Sequence, residues 1–388
     1  MAPKTMEHVR STAERRLRPL RLPSARIMGH VNNTSYDAVL ESFRLRGVAP
    51  DMPECWGHRG ASVAFPENTI ASFERAIRDG SEGLESDVHI TADDVIIMFH
   101  DAALGRTTDG KGLIKNQNWD GNIENIRTLK QPFQQIPTFR QACDLLMRPE
   151  NQHVKFNIDI KPDNQPERLF KLMKEIVESY PDFESKLAPR LILGLWHPIF
   201  LDAALKFVPA LRRVHIGGSP MAARTYFWNH CDGFSMWFPS LVGADGQAFL
   251  QEAREAKKDV FVWTVNRRDE MIEATRWGVK AILTDKTDMF QEVRKDMASD
   301  YISTRSEQVG LFFRWASWKY YMFPIFFYQT LWISQIEGRA GISFKDGRSK
   351  EDGATRTSPV SILDEKTMPL DDAPAAPPIA PTPISATA

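Results

Sequence analysis

A chain of 388 residues has room for one large α/β domain with extensions at both ends. Its 49 basic and 50 acidic side chains leave a formal net charge of −1, and no basic stretch interleaved with aromatics is present, so nothing in the charge argues for nucleic-acid binding. Three widely spaced cysteines, Cys55, Cys143 and Cys231, fit buried thiols in a reducing compartment rather than a disulfide framework.

In chain order, residues 1–50 are rich in arginine (Arg10, Arg15, Arg16, Arg18, Arg21, Arg26) and poor in acids. They lack the apolar stretch of a secretory signal, so Asn32-Asn33-Thr34 reads as a chance sequon and the segment as a disordered basic arm able to touch an anionic membrane. The first apolar run ends in Trp56-Gly57-His58-Arg59-Gly60-Ala61. A helix is expected over the stretch from Thr69 to Arg78, after Pro66-Glu67-Asn68-Thr69, with Glu67 either opening that helix or joining a site, and Asn68 either holding the loop or reaching a phosphate. Next comes Glu85-Ser86-Asp87. On an extended strand residues two apart share a face, so both carboxylates can converge on one cation. Val95 to Phe99 is apolar, with β-branched Val95, Ile96 and Ile97, and reads as a further barrel strand with His100 at its C-terminal rim; Asp101 either orients His100 or caps the next turn. In Val154 to Lys161, alternation places Asp159 and Lys161 on one face.

Later strands are expected at Leu191–Leu195, Arg213–Ile216, Gly233–Met236, Val260–Val265 and Ala281–Leu283, with helices such as Pro166–Glu178 and Asp269–Trp277 between them. The predicted fold is therefore a (β/α)8 TIM barrel over residues 54–296, and polar groups at strand ends are where such barrels keep catalysis. His58 and His100 are candidate acid and base. His89, His153, His197, His215 and His230 read as structural, and Trp263 as packing at the barrel mouth.

The order and spacing of Gly57-His58-Arg59-Gly60-Ala61, Pro66 to Thr69, Glu85 to Asp101, Asp159-Ile160-Lys161, Val262 to Asn266 and Thr284-Asp285 resemble the glycerophosphodiester phosphodiesterase family. The resemblance implies a metal-dependent barrel. Glu85, Asp87 and Asp159 are the implied ligands of one divalent cation, Mg²⁺ or Ca²⁺ from their oxygen donors; His58 and His100 are catalytic; Arg59, Lys161 and Trp263 face the substrate. Asp159 departs from the family, which has a glutamate there. Leu145 to Asn157, Leu187 to Pro198 and Arg224 to Trp228 are similar to the fungal phosphatidylglycerol phospholipase C members of the family, which implies a phospholipid substrate. The alternatives are a phosphodiesterase or lysophospholipase D acting on other glycerophospholipids, and a lipid-binding scaffold without turnover.

Beyond the barrel, Val309 to Ile333 contains no acid and is crowded with aromatic residues, while Arg314, Lys319 and Pro324 interrupt it. Residues 309–336 read as a monotopic or re-entrant membrane anchor in preference to a single-pass helix, the alternative being an extra helix packed on the barrel. Residues 337–388, rich in glycine, charge and then proline, read as a disordered tail. The expected location is intracellular and membrane-associated, on a mitochondrial, endoplasmic-reticulum or lipid-droplet surface.

Overall fold

A computed structural model describes residues 52–306 and Leu331. The basic N-terminal extension, the proposed anchor at 309–336 apart from Leu331, and the tail all lie outside the described residues. Among those described, no helix is long and apolar enough to cross a membrane.

The described residues form nine strands: β1 (Glu54–His58), β2 (Gly83–Ile90), β3 (Ile96–Met98), β4 (Lys155–Ile160), β5 (Leu191–Leu195), β6 (Arg212–Gly217), β7 (Gly233–Trp237), β8 (Asp259–Trp263) and β9 (Ala281–Thr284). All but β3 are parallel to their neighbours, and the pairings of β1 with both β2 and β9 close eight of them into a barrel. The expected TIM barrel is thus the observed one, with one correction. The segment Val95–His100 is not a barrel strand: β3 returns antiparallel to β2, with Val88 opposite Met98 and Ile90 opposite Ile96. Only a short turn, Thr91 to Val95, separates the two strands, whereas a parallel crossover needs a dozen residues or more. His100 therefore reaches the barrel mouth from a hairpin.

Register sets the site. His58 lies opposite Glu85, and Asp87 opposite Asp159. Below this level the barrel is filled by Trp56, Ile192, Val214, Phe261, Ala281 and Leu283. Gly83 is obligatory there, since a Cβ would fall 2.4 Å from the Trp56 ring.

The outer layer is helical: α1 (Ile70–Arg78), α2 (Phe139–Met147), α3 (Pro166–Glu178), α4 (Leu201–Phe207), α5 (Ala244–Glu255), α6 (Arg268–Arg276) and α7 (Thr287–Ser299). Helix α1 begins at a capping box in which the Thr69 hydroxyl accepts from Ser72 N and the Ser72 hydroxyl accepts from Thr69 N. Its Phe73 is fully buried and meets Phe156 of β4 edge to face, with ring centroids 5.9 Å apart. Burying such a side chain stabilises the fold by roughly 1.5–3 kcal/mol, and so fixes the helix that follows the His58 loop.

Between β3 and α2 the chain makes three 3₁₀ turns, Leu104–Arg106, Ile114–Asn116 and Ile123–Asn125. This excursion has its own apolar cluster of Ile97, Phe99, Leu104, Ile114, Ile123 and Ile136. The three cysteines are free and buried, as expected.

Candidate active site

The polar residues gather at the C-terminal ends of the parallel strands. His58 is the last residue of β1, and the chain then turns through two left-handed residues, Arg59 (φ 55°) and Gly60 (φ 80°). A Cβ on Gly60 would fall 2.4 Å from Ser72 Oγ, so glycine is required by both space and dihedral. The turn aims the Arg59 N–H at Glu85 Oε2, 3.0 Å away.

Glu85, Asp87 and Asp159 are all buried, and one carboxylate oxygen from each lies within 4.8 Å of the others. Lys161 Nζ stands 2.7 Å from Asp87 Oδ1 and 3.0 Å from Asp159 Oδ2. The electrostatics separate the three acids. Burial, reinforced by the charge of Asp87, pushes the Glu85 carboxyl up to about 8. Asp159 is pushed up to about 6 by burial, against the pull of Lys161. Burial would also raise Asp87, but Lys161, His100 and Arg59 hold it well below the usual carboxylate range. Three buried acids that disfavour one another's ionisation, all with hard oxygen donors, fit a divalent cation.

The histidines approach this cluster from different sides. His58 Nε2 is 3.9 Å from Glu85 Oε2, while its Nδ1 is 2.7 Å from Asp285 Oδ1. Burial opposes protonation of His58, yet Asp285 and Glu85 together raise its pKa. His100 Nδ1 is 2.6 Å from Asp101 Oδ1, which favours the orienting role for Asp101. Burial and the Lys161 charge lower the pKa of His100. One histidine is therefore biased towards the charged form and the other towards the neutral form.

Arg59 pairs with Glu67 (NH1 to Oε1, 3.1 Å) and with Asp87 (Nε to Oδ2, 3.5 Å), and its Nε–H makes no hydrogen bond. Glu67 thus belongs to the site rather than to helix α1. Asn68 holds a carboxylate: its Nδ2 donates to Asp87 Oδ2 at 2.8 Å and its Oδ1 accepts from Ser86 at 2.6 Å. Trp263 Nε1 donates to the Ser235 carbonyl at 3.0 Å, and its ring meets that of Trp196 edge-on at 5.6 Å.

Three contributors were given no role in the site by the sequence, although Asp285 falls within the Thr284-Asp285 pair that carries the resemblance. Asp285 accepts from Ser62 Oγ (2.8 Å) and Asn266 Nδ2 (2.5 Å) besides pairing with His58; its place directly after the last barrel strand is the signal that could have marked it. Trp196, directly after β5, donates from Nε1 to Asp159 Oδ1 at 2.5 Å. Arg106, in the first 3₁₀ turn, binds Asp101 and also Glu67, the latter at 2.7 Å. Neither had a sequence signal, because each depends on a contact between distant segments.

The other described histidines are not part of the cluster. His89 Nε2 bonds the His100 carbonyl at 3.0 Å, His197 Nδ1 accepts from Ile199 N at 3.2 Å, and His215 is buried against Phe227 with centroids 3.8 Å apart. His153 and His230 are exposed and stand away from the site.

Residues 58–289 match the model of the glycerophosphoryl diester phosphodiesterase family. A glycerophosphodiester phosphodiesterase of Caldanaerobacter subterraneus subsp. tengcongensis is 29% identical over 250 residues, covering 59% of this chain and 92% of that one. The human glycerophosphodiester phosphodiesterase 1 is 32% identical over 157 residues, 38% of this chain and 46% of that protein. Among solved structures, a phosphodiesterase of Oleispira antarctica in complex with the product sn-glycerol-3-phosphate shares the fold, with a TM-score of 0.53, 24% identity, and coverage of 63% of this chain and 97% of that one. The family match runs from the end of β1 through β9, more than half of the chain, and takes in both His58 and His100, so the chain belongs to the glycerophosphoryl diester phosphodiesterase family and is a phosphoric diester hydrolase acting on glycerophosphodiesters.

Proposed function

We propose that this barrel is a phospholipase C that hydrolyses phosphatidylglycerol to diacylglycerol and glycerol phosphate, with His58 and His100 as its proton-transfer pair. The observation that carries the assignment is geometric: two histidines flank one carboxylate cluster, each held by its own acid, His58 by Asp285 at 2.7 Å and His100 by Asp101 at 2.6 Å. In-line displacement at phosphorus needs a base on the entering side and an acid on the leaving side. His58, backed by Asp285, can hold a proton, whereas His100, beside Lys161, can accept one.

Glu85, Asp87 and Asp159 would hold Mg²⁺ or Ca²⁺, which supplies charge neutralisation as negative charge builds on the phosphodiester. Arg59 offers a planar fork suited to phosphate oxygens, with one donor not engaged in a hydrogen bond, and Lys161, directly after β4, adds a point charge. Trp196 and Trp263 form an aromatic wall beside Asp159 against which a glycerol group can pack.

The choice of phosphatidylglycerol rests on sequence likeness at Leu145 to Asn157, Leu187 to Pro198 and Arg224 to Trp228, and the reading of residues 309–336 as a membrane anchor at an intracellular surface is part of the same proposal. Purified full-length protein tested against a phospholipid panel and against water-soluble glycerophosphodiesters decides it. Turnover of soluble diesters with none of phosphatidylglycerol would reject the lipid substrate and leave a soluble phosphodiesterase.

A further inference from the structure

Among the described residues the three most exposed large apolar side chains are Phe133 (60%), Leu129 (57%) and Val63 (55%). They come from two distant segments that one lysine ties together: Lys130 Nζ donates to the carbonyls of Ser62 (2.8 Å), Val63 (2.7 Å) and Phe65 (3.1 Å). Residues 129–133 are the tip of a small closed loop, because Thr128 N donates to the Gln134 carbonyl at 2.9 Å and Gln134 N to Thr128 Oγ1 at 2.9 Å. These two bonds close the loop's base, and Leu129 and Phe133 stand exposed beyond it.

The patch is continuous with the catalytic mouth on both sides. Val63 N donates to the carbonyl of Asp285, the partner of His58, at 3.1 Å; Leu129 N donates to the Thr107 carbonyl at 2.9 Å, one residue from Arg106 with its bonds to Asp101 and Glu67. Charge adds direction. Lys130 lies between Leu129 and Phe133 in the loop, and Arg127 stands two residues before Leu129. Apolar side chains flanked by cations suit the headgroup–acyl boundary of an anionic bilayer.

We infer that Val63, Leu129 and Phe133 form a docking surface that enters an anionic phospholipid bilayer and seats the barrel mouth on it. The inference rests on the phospholipid reading of the substrate. It supplies what that reading needs, a way for a phosphate lying in the headgroup plane to meet residues at the strand ends without the lipid leaving the membrane.

Because Cys55, Cys143 and Cys231 are buried, a full-length Phe133→Cys variant can carry an environment-sensitive fluorophore at the loop tip alone. Vesicles of phosphatidylglycerol should shift its emission to the blue, with phosphatidylcholine vesicles needed at about tenfold or higher concentration for the same shift. The unlabelled double variant Leu129→Glu/Phe133→Glu should lose about tenfold or more of its rate on phosphatidylglycerol vesicles while keeping its rate on water-soluble glycerophosphoglycerol. No shift with phosphatidylglycerol vesicles overturns the inference. So does a shift that appears on concentrating the labelled protein without lipid, which would make a second copy of the chain the occupant. Failure of the substrate reading looks different: the label still reports docking on phosphatidylglycerol vesicles, but that lipid is not cleaved.

Discussion

His58 and Asp285 are 227 positions apart in the chain, yet their side chains meet at 2.7 Å across the seam where the first barrel strand joins the last. The contact carries a proton-transfer candidate on the closure of the fold. The Asp285 charge raises the His58 pKa, and the ion pair holds Asp285 itself far below the usual carboxylate range. Replacing the charge with the isosteric amide, Asp285→Asn, should lower kcat/KM by about 10- to 100-fold, the range for removing a partner that orients an active-site group. The sign of the pH effect follows from the same contact: without Asp285 the His58 pKa falls, so its limb of the pH–rate profile should move to lower pH. A profile that keeps its position would detach Asp285 from the titration of His58.

His58→Ala and His100→Ala should each reduce turnover by more than about a hundredfold, with circular dichroism and melting close to the parent. Neither ring is packed in the apolar core: each is held by a carboxylate at the barrel mouth. Near-normal turnover in a folded variant would remove that histidine from the mechanism.

What the sequence made legible was whatever is local. Apolar runs that stop at His58 or Asp159 announce strands whose polar ends share a rim, and two-residue spacing places Glu85 with Asp87. Direction is not local. The run from Val95 to His100 has the composition of a barrel strand, and only the four residues between Ile90 and Val95 show that it must turn back on β2. Partnerships across the barrel were out of reach for a similar reason: no pattern near Trp196 records that its indole will meet Asp159, or near Arg106 that its guanidinium will join Asp101 to Glu67.

The Trp196 contact bears on the departure at position 159. An aspartate is one methylene shorter than glutamate, and both its oxygens are held, Oδ1 by Trp196 and Oδ2 by Lys161. Chelation should abolish activity, and Mg²⁺ or Ca²⁺ should restore it. Asp159→Ala should weaken cation binding measured by calorimetry, and Trp196→Phe, which keeps an aromatic ring and removes the donor, should weaken it by about tenfold. Full activity in chelator, or unchanged cation affinity in Asp159→Ala, would mean that the three carboxylates serve another purpose.

The final expectation concerns which bond breaks. Resemblance to the family implies that a free hydroxyl next to the phosphate-bearing carbon of glycerol attacks phosphorus, and that water then opens the cyclic glycerol phosphate. In phosphatidylglycerol the lipid-side glycerol has that position acylated, whereas the headgroup glycerol carries it free. On that lipid the headgroup hydroxyl would give up its proton and bond to phosphorus, the bond to the diacylglycerol oxygen would break, and that oxygen would take a proton as it leaves. Holding the nucleophile beside phosphorus can supply a large share of the rate, so phosphatidylethanolamine, whose headgroup has no such hydroxyl, should be a poor substrate. Phosphatidylglycerol labelled in its headgroup should give labelled glycerol phosphate and unlabelled diacylglycerol. Labelled free glycerol with phosphatidic acid would place the cut on the other side of phosphorus and rule out the phospholipase C assignment.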